Sequence, residues 1–300
     1  MQNRARIAVL LYPLCCCFLI GITATQVRGQ EREQSSIPLG WWVYPAEKLQ
    51  HVDHNTRSCF NYSRNEWQVF SKPAGIQIAP LHVEGKGPSS TDELPSGLKL
   101  EPGMPGRNVR AGLRKAMRFG DAWLLAYDAG EWGGGLWLTN KDGAEAKRII
   151  GDNVRALIPI GDKLVVLSGF AHMSLDYGTA YIFSNPTGTG INLDHSIHLD
   201  GEPSGYAVDK DSSILFTTTR GVKRLNTQGE LTTLTYLPEW VSGQYPNSVA
   251  VASDGSIFVG MRMFVLRLHK RDEGYKEEWL LPEKCKRFEL ARLDCICHDK

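Results

Sequence analysis

The chain has 300 residues, 42% of them hydrophobic, and a formal net charge of +1 at pH 7. Binding to a nucleic-acid backbone needs concentrated positive charge, and no Lys/Arg cluster here is interleaved with aromatic residues. No basic amphipathic stretch indicates a membrane surface either. We therefore do not expect nucleic acid as a partner. We do not expect a membrane as a partner either, once the N-terminal signal has been removed.

Residues 1–29 are predicted to be a signal peptide. A short basic lead is followed by an apolar run, Ile7–Ile22, which contains Pro13 and is shorter than the roughly 20 residues of a membrane span. We expect cleavage after Gly29, with Cys15–Cys17 in the removed segment. An uncleaved N-terminal anchor is the alternative. Cleavage would make the protein secreted or periplasmic.

The next two regions carry weaker patterns. Residues 30–82 contain an apolar cluster, Trp41–Tyr44, and a stretch from Trp67 to Val83 that reads as one or two strands. This N-terminal β segment is predicted to supply one or two degenerate blades or an independent cap. Residues 83–113 are rich in glycine and proline and lack apolar periodicity, which indicates a long loop or linker.

Residues 114–282 repeat one pattern: a short apolar run, a polar break, a second apolar run and a Gly/Asp/Asn turn. The last two repeats align at an offset of 43 residues, with Asp211 over Asp254 and Ile214 over Ile257. A period of 40–50 residues with about four strands is typical of a β-propeller blade, because stacked blades bury faces that one sheet leaves exposed. We predict an all-β propeller of antiparallel four-stranded blades, five or six in number, with four in this region.

The segment from Pro246 to Val259, with its Ala-Val-x-x-Asp-Gly-x-Ile-Phe-Val pattern, resembles the blades of six-bladed propellers of the NHL and gluconolactonase-like kind. The resemblance covers about half of the chain that remains after cleavage, and it is strongest over Pro203–Leu268. It implies the propeller fold. It also implies a second candidate activity, that of a metal-assisted hydrolase similar to the lactonases.

Three consecutive glycines, Gly133–Gly135, stand between Trp132 and Trp137. A phosphate-cradling loop needs a helix start after its glycines, and none is expected here. We interpret the glycines as a structural loop that requires positive φ and close backbone approach between the second and third strands of a blade.

The loops between second and third strands should emerge on one face of a propeller, around its channel. Loops on a rigid scaffold often carry function, and a mixture of acids, histidine and arginine suits a small polar or anionic ligand. Ordinary solvated loop charge is the alternative. The candidate ligand-binding residues in these loops are Asp128, Glu131, Trp132, His172, Asp176, Arg220 and Arg262, with Tyr177 beside them.

No catalytic residues or cofactor are predicted, because neither a Gly-x-Ser-x-Gly nor a His-Glu-x-x-His motif is present. His51-Val52-Asp53-His54 lacks the further histidine of a metal box, and His195 and His198 would lie on opposite faces of a strand. Glu131, His172 and Asp176 could bind a metal only if their two loops converge. No metal site is therefore predicted.

The four cysteines that follow the signal, Cys59, Cys285, Cys295 and Cys297, predict two disulfides in an exported protein. We expect Cys59 to pair with one of the other three, tying a Cys-rich closing segment, 283–300, to the N-terminal region. The favoured function is an exported, non-catalytic propeller that binds a small polar or anionic ligand or a protein. The lactonase-like hydrolase is the alternative.

Overall fold

The computed structural model describes residues 37–44, 63, 65–81, 113–143, 145–187, 190–237 and 243–283. Those from residue 38 onward belong to one compact unit. The predicted signal, the four cysteines and nearly all of the predicted linker lie outside the described residues. Within the described ranges, no helix has the length and apolar character needed to cross a bilayer.

The described chain consists almost entirely of strands. Three precede the repeats: β1 (Trp41–Tyr44), β2 (Trp67–Lys72) and β3 (Gly75–Pro80). Blade 1 contains β4 (Leu113–Phe119), β5 (Ala122–Asp128), β6 (Gly134–Thr139) and β7 (Ala146–Ile150), and blade 2 contains β8 (Val154–Ile160), β9 (Lys163–His172), β10 (Leu175–Thr187) and β11 (Gly190–Leu199). Blade 3 contains β12 (Pro203–Val208), β13 (Ile214–Thr218), β14 (Gly221–Leu225) and β15 (Leu231–Tyr236), and blade 4 contains β16 (Ser248–Val251), β17 (Ile257–Gly260), β18 (Val265–Arg271) and β19 (Gly274–Pro282).

Each blade is an antiparallel sheet whose strands lie in chain order. The second strands β5, β13 and β17 are buried along their whole length, which explains why they read as continuous apolar runs rather than as alternating ones. A strand reads in this way when both faces of its sheet are covered. The prediction of an all-β propeller with four-stranded antiparallel blades is confirmed.

Three hydrophobic clusters lie between consecutive blades. Leu124 and Leu136 of blade 1 pack with Leu157 of blade 2. Leu167 of blade 2 packs with Phe216 of blade 3. A third and larger cluster joins blades 3 and 4 and contains the side chains Leu215, Val222, Val259, Leu266 and Trp279. Burial of these apolar faces is the main contribution to the stacking of the blades.

The N-terminal strands join the fourth blade. β1 pairs antiparallel with β19, so the chain's first described strand is the outermost strand of blade 4. The β2–β3 hairpin packs beside β16, where the Val69 amide donates to Ser248 Oγ at 2.9 Å and Ser71 Oγ donates to the Val251 carbonyl at 2.9 Å. β2 therefore occupies the inner-strand position of a further blade, of which two strands are described.

The alternation of strands gives the blades two distinct ends. We call one end the mouth face; it carries the loops between second and third strands and the connections from each blade to the next. The other end, the opposite face, carries the remaining turns. These turns include 120–121, 161–162, 209–213, 226–230, 252–256 and 272–273.

Candidate functional site at the mouth face

A cleft of about 1300 Å³ opens on the mouth face. It contains three of the seven predicted ligand-binding residues, His172, Asp176 and Arg220, which come from blades 2 and 3. The other side chains that line it and matter below are Arg155, Met173, Leu175, Asp200, Glu202, Tyr236 and Tyr245. The cleft is thus lined by both charged and aromatic groups.

Asp176 and Arg220 form an ion pair across the boundary between blades 2 and 3. Arg220 Nε donates to Asp176 Oδ2 at 2.9 Å, and Thr219 Oγ1 donates to Asp176 Oδ1 at 2.7 Å. The Glu202 amide donates to the same Oδ1 at 3.0 Å. The Asp176 carboxylate is therefore occupied by protein donors. The Arg220 side chain remains 54% exposed, and no described residue accepts a hydrogen bond from its two terminal nitrogens.

Asp128 belongs to a buried charge chain rather than to the cleft wall. Its side chain is only 1% exposed, and its Oδ2 lies 2.5 Å from Arg155 Nη1. Its Oδ1 accepts a hydrogen bond from the Gly130 amide at 2.9 Å. Arg155 also pairs with Glu202, which precedes β12. This chain of charges joins blades 1, 2 and 3, so the carboxylate of Asp128 faces Arg155.

Glu131 and Trp132 lie at the tip of the blade 1 loop, in the short 3-10 helix Gly130–Trp132. Glu131 Oε2 is 3.5 Å from Nε2 of His172, and both side chains are about half exposed. The His172 ring packs at 5.9 Å from the ring of Phe170. Glu131 thus contacts a residue of the cleft without lining it, and Trp132 is exposed beside it.

Arg262 joins blade 4 to the β2–β3 region. Its Nε donates to Glu66 Oε1 at 2.8 Å, and the two residues form an isolated β-bridge. Its guanidinium lies 4.8 Å from the centre of the Tyr245 ring, and Tyr245 lines the cleft. Arg262 therefore supports the cleft wall through Tyr245.

The metal-binding arrangement needed for the hydrolase alternative is not present in the described part of the chain. There, no three His, Cys, Asp or Glu side chains lie close enough together to hold one metal ion. The reason at the mouth is that Asp176 accepts hydrogen bonds from Thr219 and Arg220 instead of joining the Glu131–His172 pair.

The glycine triplet has a structural role, which confirms the interpretation made from the sequence. Gly133 has φ +95°, in the region that favours glycine. A Cβ on Gly134 would lie 2.5 Å from the Cα of Asn153 and 2.6 Å from the Tyr127 carbonyl oxygen. Only glycine lets the blade 1 loop approach the next blade this closely. Asn153 Nδ2 then donates to the Gly130 carbonyl at 2.9 Å, which fixes the loop.

Several cleft residues were missed from the sequence because they do not lie in the loops between second and third strands. Arg155, Asp200, Glu202, Tyr236 and Tyr245 lie on the connections between blades or beside them. Antiparallel pairing brings the fourth-to-first connections to the same end as the second-to-third loops. That rule, applied to the predicted blades, could have pointed to these positions.

A second cavity of about 780 Å³ lies among the inner strands β2, β12 and β16. It shares Arg155, Ser204 and Asn247 with the mouth cleft. Its walls are otherwise formed mainly by the inner edges of strands, including Gly205–Val208 and Ser248–Val251. The mouth cleft therefore borders a second cavity along the inner strands.

No protein-family model and no curated protein sequence matches the chain. Solved structures with a similar fold include a streptogramin B lyase, at 10% identity, TM-score 0.36, and 72% of this chain against 68% of that one. A putative 6-phosphogluconolactonase from Bacteroides fragilis matches at 14% identity, TM-score 0.40, and 68% against 63%. A gluconolactonase from Xanthomonas campestris matches at 16% identity, TM-score 0.32, and 59% against 60%.

The chain thus spans less than two thirds of the last two proteins. At such identities and TM-scores these neighbours say nothing about the ligand or reaction of this chain. Its propeller architecture is evident from its own sheets.

Proposed function

We propose that this propeller is a binding module that holds an anionic group in the mouth cleft, with Arg220 as its principal contact. The observation that supports this is a half-exposed guanidinium held at one nitrogen by Asp176 and unpaired at the other two among the described residues. A planar fork of donors in a fixed orientation suits the paired oxygen atoms of a carboxylate or a phosphate.

The acidic residues of the cleft do not oppose this assignment, because protein donors already occupy them. Asp176 accepts hydrogen bonds from Thr219 and from Arg220. Asp200 lies 2.5 Å from Lys223 Nζ, and Glu202 pairs with Arg155. Each of these carboxylates therefore has a basic partner within the protein, with Arg155 shared between Glu202 and Asp128. Of the two arginines that line the cleft, Arg220 is the more exposed, at 54% against 25% for Arg155, and the His172 ring lines the same cleft.

The proposal is tested by titrating the protein with inorganic phosphate and with acetate, using isothermal calorimetry and the thermal shift. Arg220→Ala should weaken binding by roughly tenfold to a hundredfold, because a hydrogen bond to a charged group contributes about 1.5–3 kcal/mol. Arg220→Lys should weaken binding less, since the charge stays but the fork is lost.

The matched control is Arg224→Ala. Arg224 lies on β14, the strand that follows Arg220 directly; it is also partly exposed, and it pairs with Asp211 near the opposite face. Its removal should leave phosphate binding unchanged. Equal binding by wild type and Arg220→Ala, or no binding of either anion by wild type, would contradict the proposal.

A further inference from the structure

Met173 occupies a position that the fold alone would assign to glycine. β9 ends at His172 and β10 begins at Leu175, so the hairpin loop consists of Met173 and Ser174. Met173 has φ +55°, and Ser174 is not among the positive-φ residues. A two-residue hairpin with positive φ only at its first position strongly prefers glycine there.

Packing in the core does not account for a methionine at this position. The Met173 side chain is 93% exposed, so it is not packed in the core. Holding a non-glycine residue at positive φ costs on the order of 1–3 kcal/mol, and such strain is concentrated at functional sites. Tyr245, another exposed residue of the cleft, also has positive φ, at +49°. An exposed, adaptable thioether in a strained turn is suited to contacting a partner.

Other apolar groups surround Met173 on the same face. Leu175, Tyr236 and Tyr245 are exposed and line the same cleft. Among the described residues of the four blades and their connections, six of the eight exposed large hydrophobic side chains lie on the mouth face, namely Trp132, Met173, Leu175, Tyr177, Tyr236 and Tyr245. Aromatic residues, methionine and arginine are the types enriched in protein–protein interfaces.

The size and charge of the cleft indicate which kind of molecule can bind in it. Its volume of about 1300 Å³ exceeds the range of roughly 300–1000 Å³ that is usual for small-molecule sites. The exposed guanidinium of Arg220 complements an acidic group. We propose that the cleft takes an acidic segment of another protein, in which an Asp or Glu side chain binds Arg220 and neighbouring apolar side chains contact Met173, Leu175 and Tyr236. This inference rests on the proposed anion site.

The test uses an array of short peptides, capped at both ends, with a central Glu or Gln. The flanking positions carry Leu, Met, Phe or Tyr in one half of the array and Ser or Gly in the other. Peptides with Glu and apolar flanks should bind, and replacing either feature should weaken binding by about tenfold or more. Leu175→Ala and Met173→Gly should each weaken binding of these peptides by roughly tenfold.

Two controls separate this inference from the anion site on which it rests. Leu193→Ala removes a leucine of blade 2 that is about as exposed as Leu175, at 52% against 57%, but does not line the cleft, and it should leave peptide binding unchanged. Acetate and phosphate should bind Leu175→Ala and Met173→Gly as they bind wild type.

If the array shows no preference for apolar flanks while phosphate still binds through Arg220, the peptide inference is wrong and the anion site stands. If the wild type binds neither peptides nor anions, both are wrong.

Discussion

The two faces of the propeller are built from the same blades and differ in what their loops contain. Turns of the opposite face are composed mainly of Gly, Asp, Asn, Ser and Thr, and several of these side chains accept hydrogen bonds from the backbone of their own turn. Asp211 and Asp254, at equivalent positions of blades 3 and 4, accept hydrogen bonds from the Ser213 and Ser256 amides at 3.0 and 2.8 Å. Asn226 accepts from the Gln228 and Glu230 amides in the same manner.

The loops of the mouth face differ from these turns in length, in exposed side chains and in ion pairing. They have different lengths and expose aromatic and methionine side chains. Non-glycine residues at positive φ occur on both faces, but Met173 and Tyr245 on the mouth face are large and exposed, whereas, among the described residues, the one on the opposite face is Ser212. The ion pairs of the mouth face link neighbouring blades, as Asp128–Arg155 and Asp176–Arg220 do, whereas Asp211–Arg224 lies within blade 3. The turns of the opposite face thus contain residues that favour the folded turn. The loops of the mouth face depart from this pattern, as residues at functional sites do.

The largest expected difference between the faces concerns their arginines. Arg155→Met removes the cation that pairs with both Asp128, which is buried, and Glu202. Breaking such a buried pair should lower the free energy of unfolding by roughly 3 kcal/mol. Arg224→Met breaks an ion pair with the exposed Asp211 and should cost about 0.5 kcal/mol. Urea denaturation measures both, and equal losses would contradict the comparison.

Glycines provide the next contrast. Gly134→Ala would place a Cβ 2.5 Å from the Cα of Asn153 and should destabilise by about 1–3 kcal/mol, because two backbones would have to separate. Gly161→Ala, in a turn of the opposite face, meets no atom within 4 Å and should cost only the strain of its φ of +57°, about 1 kcal/mol. Denaturation midpoints distinguish the two. A milder effect at Gly134 than at Gly161 would show that the blade contact is loose.

The fold could be predicted from the sequence further than the site could. Asp211 and Asp254, which align in the sequence, lie in equivalent turns, and each accepts a hydrogen bond from the amide two residues further on. The repeat is visible in the sequence because each turn needs this side chain locally. The glycine triplet was interpreted correctly for a similar reason, since positive φ and close approach are constraints on a single residue type.

The site depends on contacts between residues distant in the chain, and no local pattern encodes those. Asp176 and Arg220 were both predicted as candidates, but their pairing requires blades 2 and 3 to stack in a particular register. Arg155 and Glu202 were not candidates from the sequence, because their pairing arises only when neighbouring blades come together. The β1 strand likewise joins the outer edge of blade 4, a pairing between residues over 200 positions apart.

A smaller effect separates two residues that share the same backbone strain. Met173 on the mouth face and Ser212 on the opposite face have φ values of +55° and +65°. Replacing either with glycine should raise the free energy of unfolding by about 1 kcal/mol, since the relief of strain exceeds the entropy that glycine adds to the unfolded chain. Ser212→Gly should leave binding of acidic-apolar peptides unaffected. Loss of stability in Met173→Gly would show that the methionine serves folding.

The smallest expected effect is a pH dependence away from the mouth. Burial, reinforced by Arg267 and Arg271, lowers the pKa of His269 below its usual 6.5. The unfolded chain therefore binds the proton more readily, and this contribution to stability is present above pH 6.5 and is lost as pH falls through the lowered pKa. His269→Gln should flatten the stability profile below pH 6.5 without changing phosphate binding. Superimposable profiles in acid would contradict this assignment.

The central claim, that binding occurs at the mouth face, is tested most directly by amide NMR of the wild-type protein titrated with inorganic phosphate. The account predicts that the largest chemical-shift changes occur at Thr219, Arg220 and Asp176, with smaller ones at His172 and Glu202. Amides of the turns 209–213 and 226–230 should not shift. The largest changes in those turns, or small changes spread evenly over both faces, would contradict the claim.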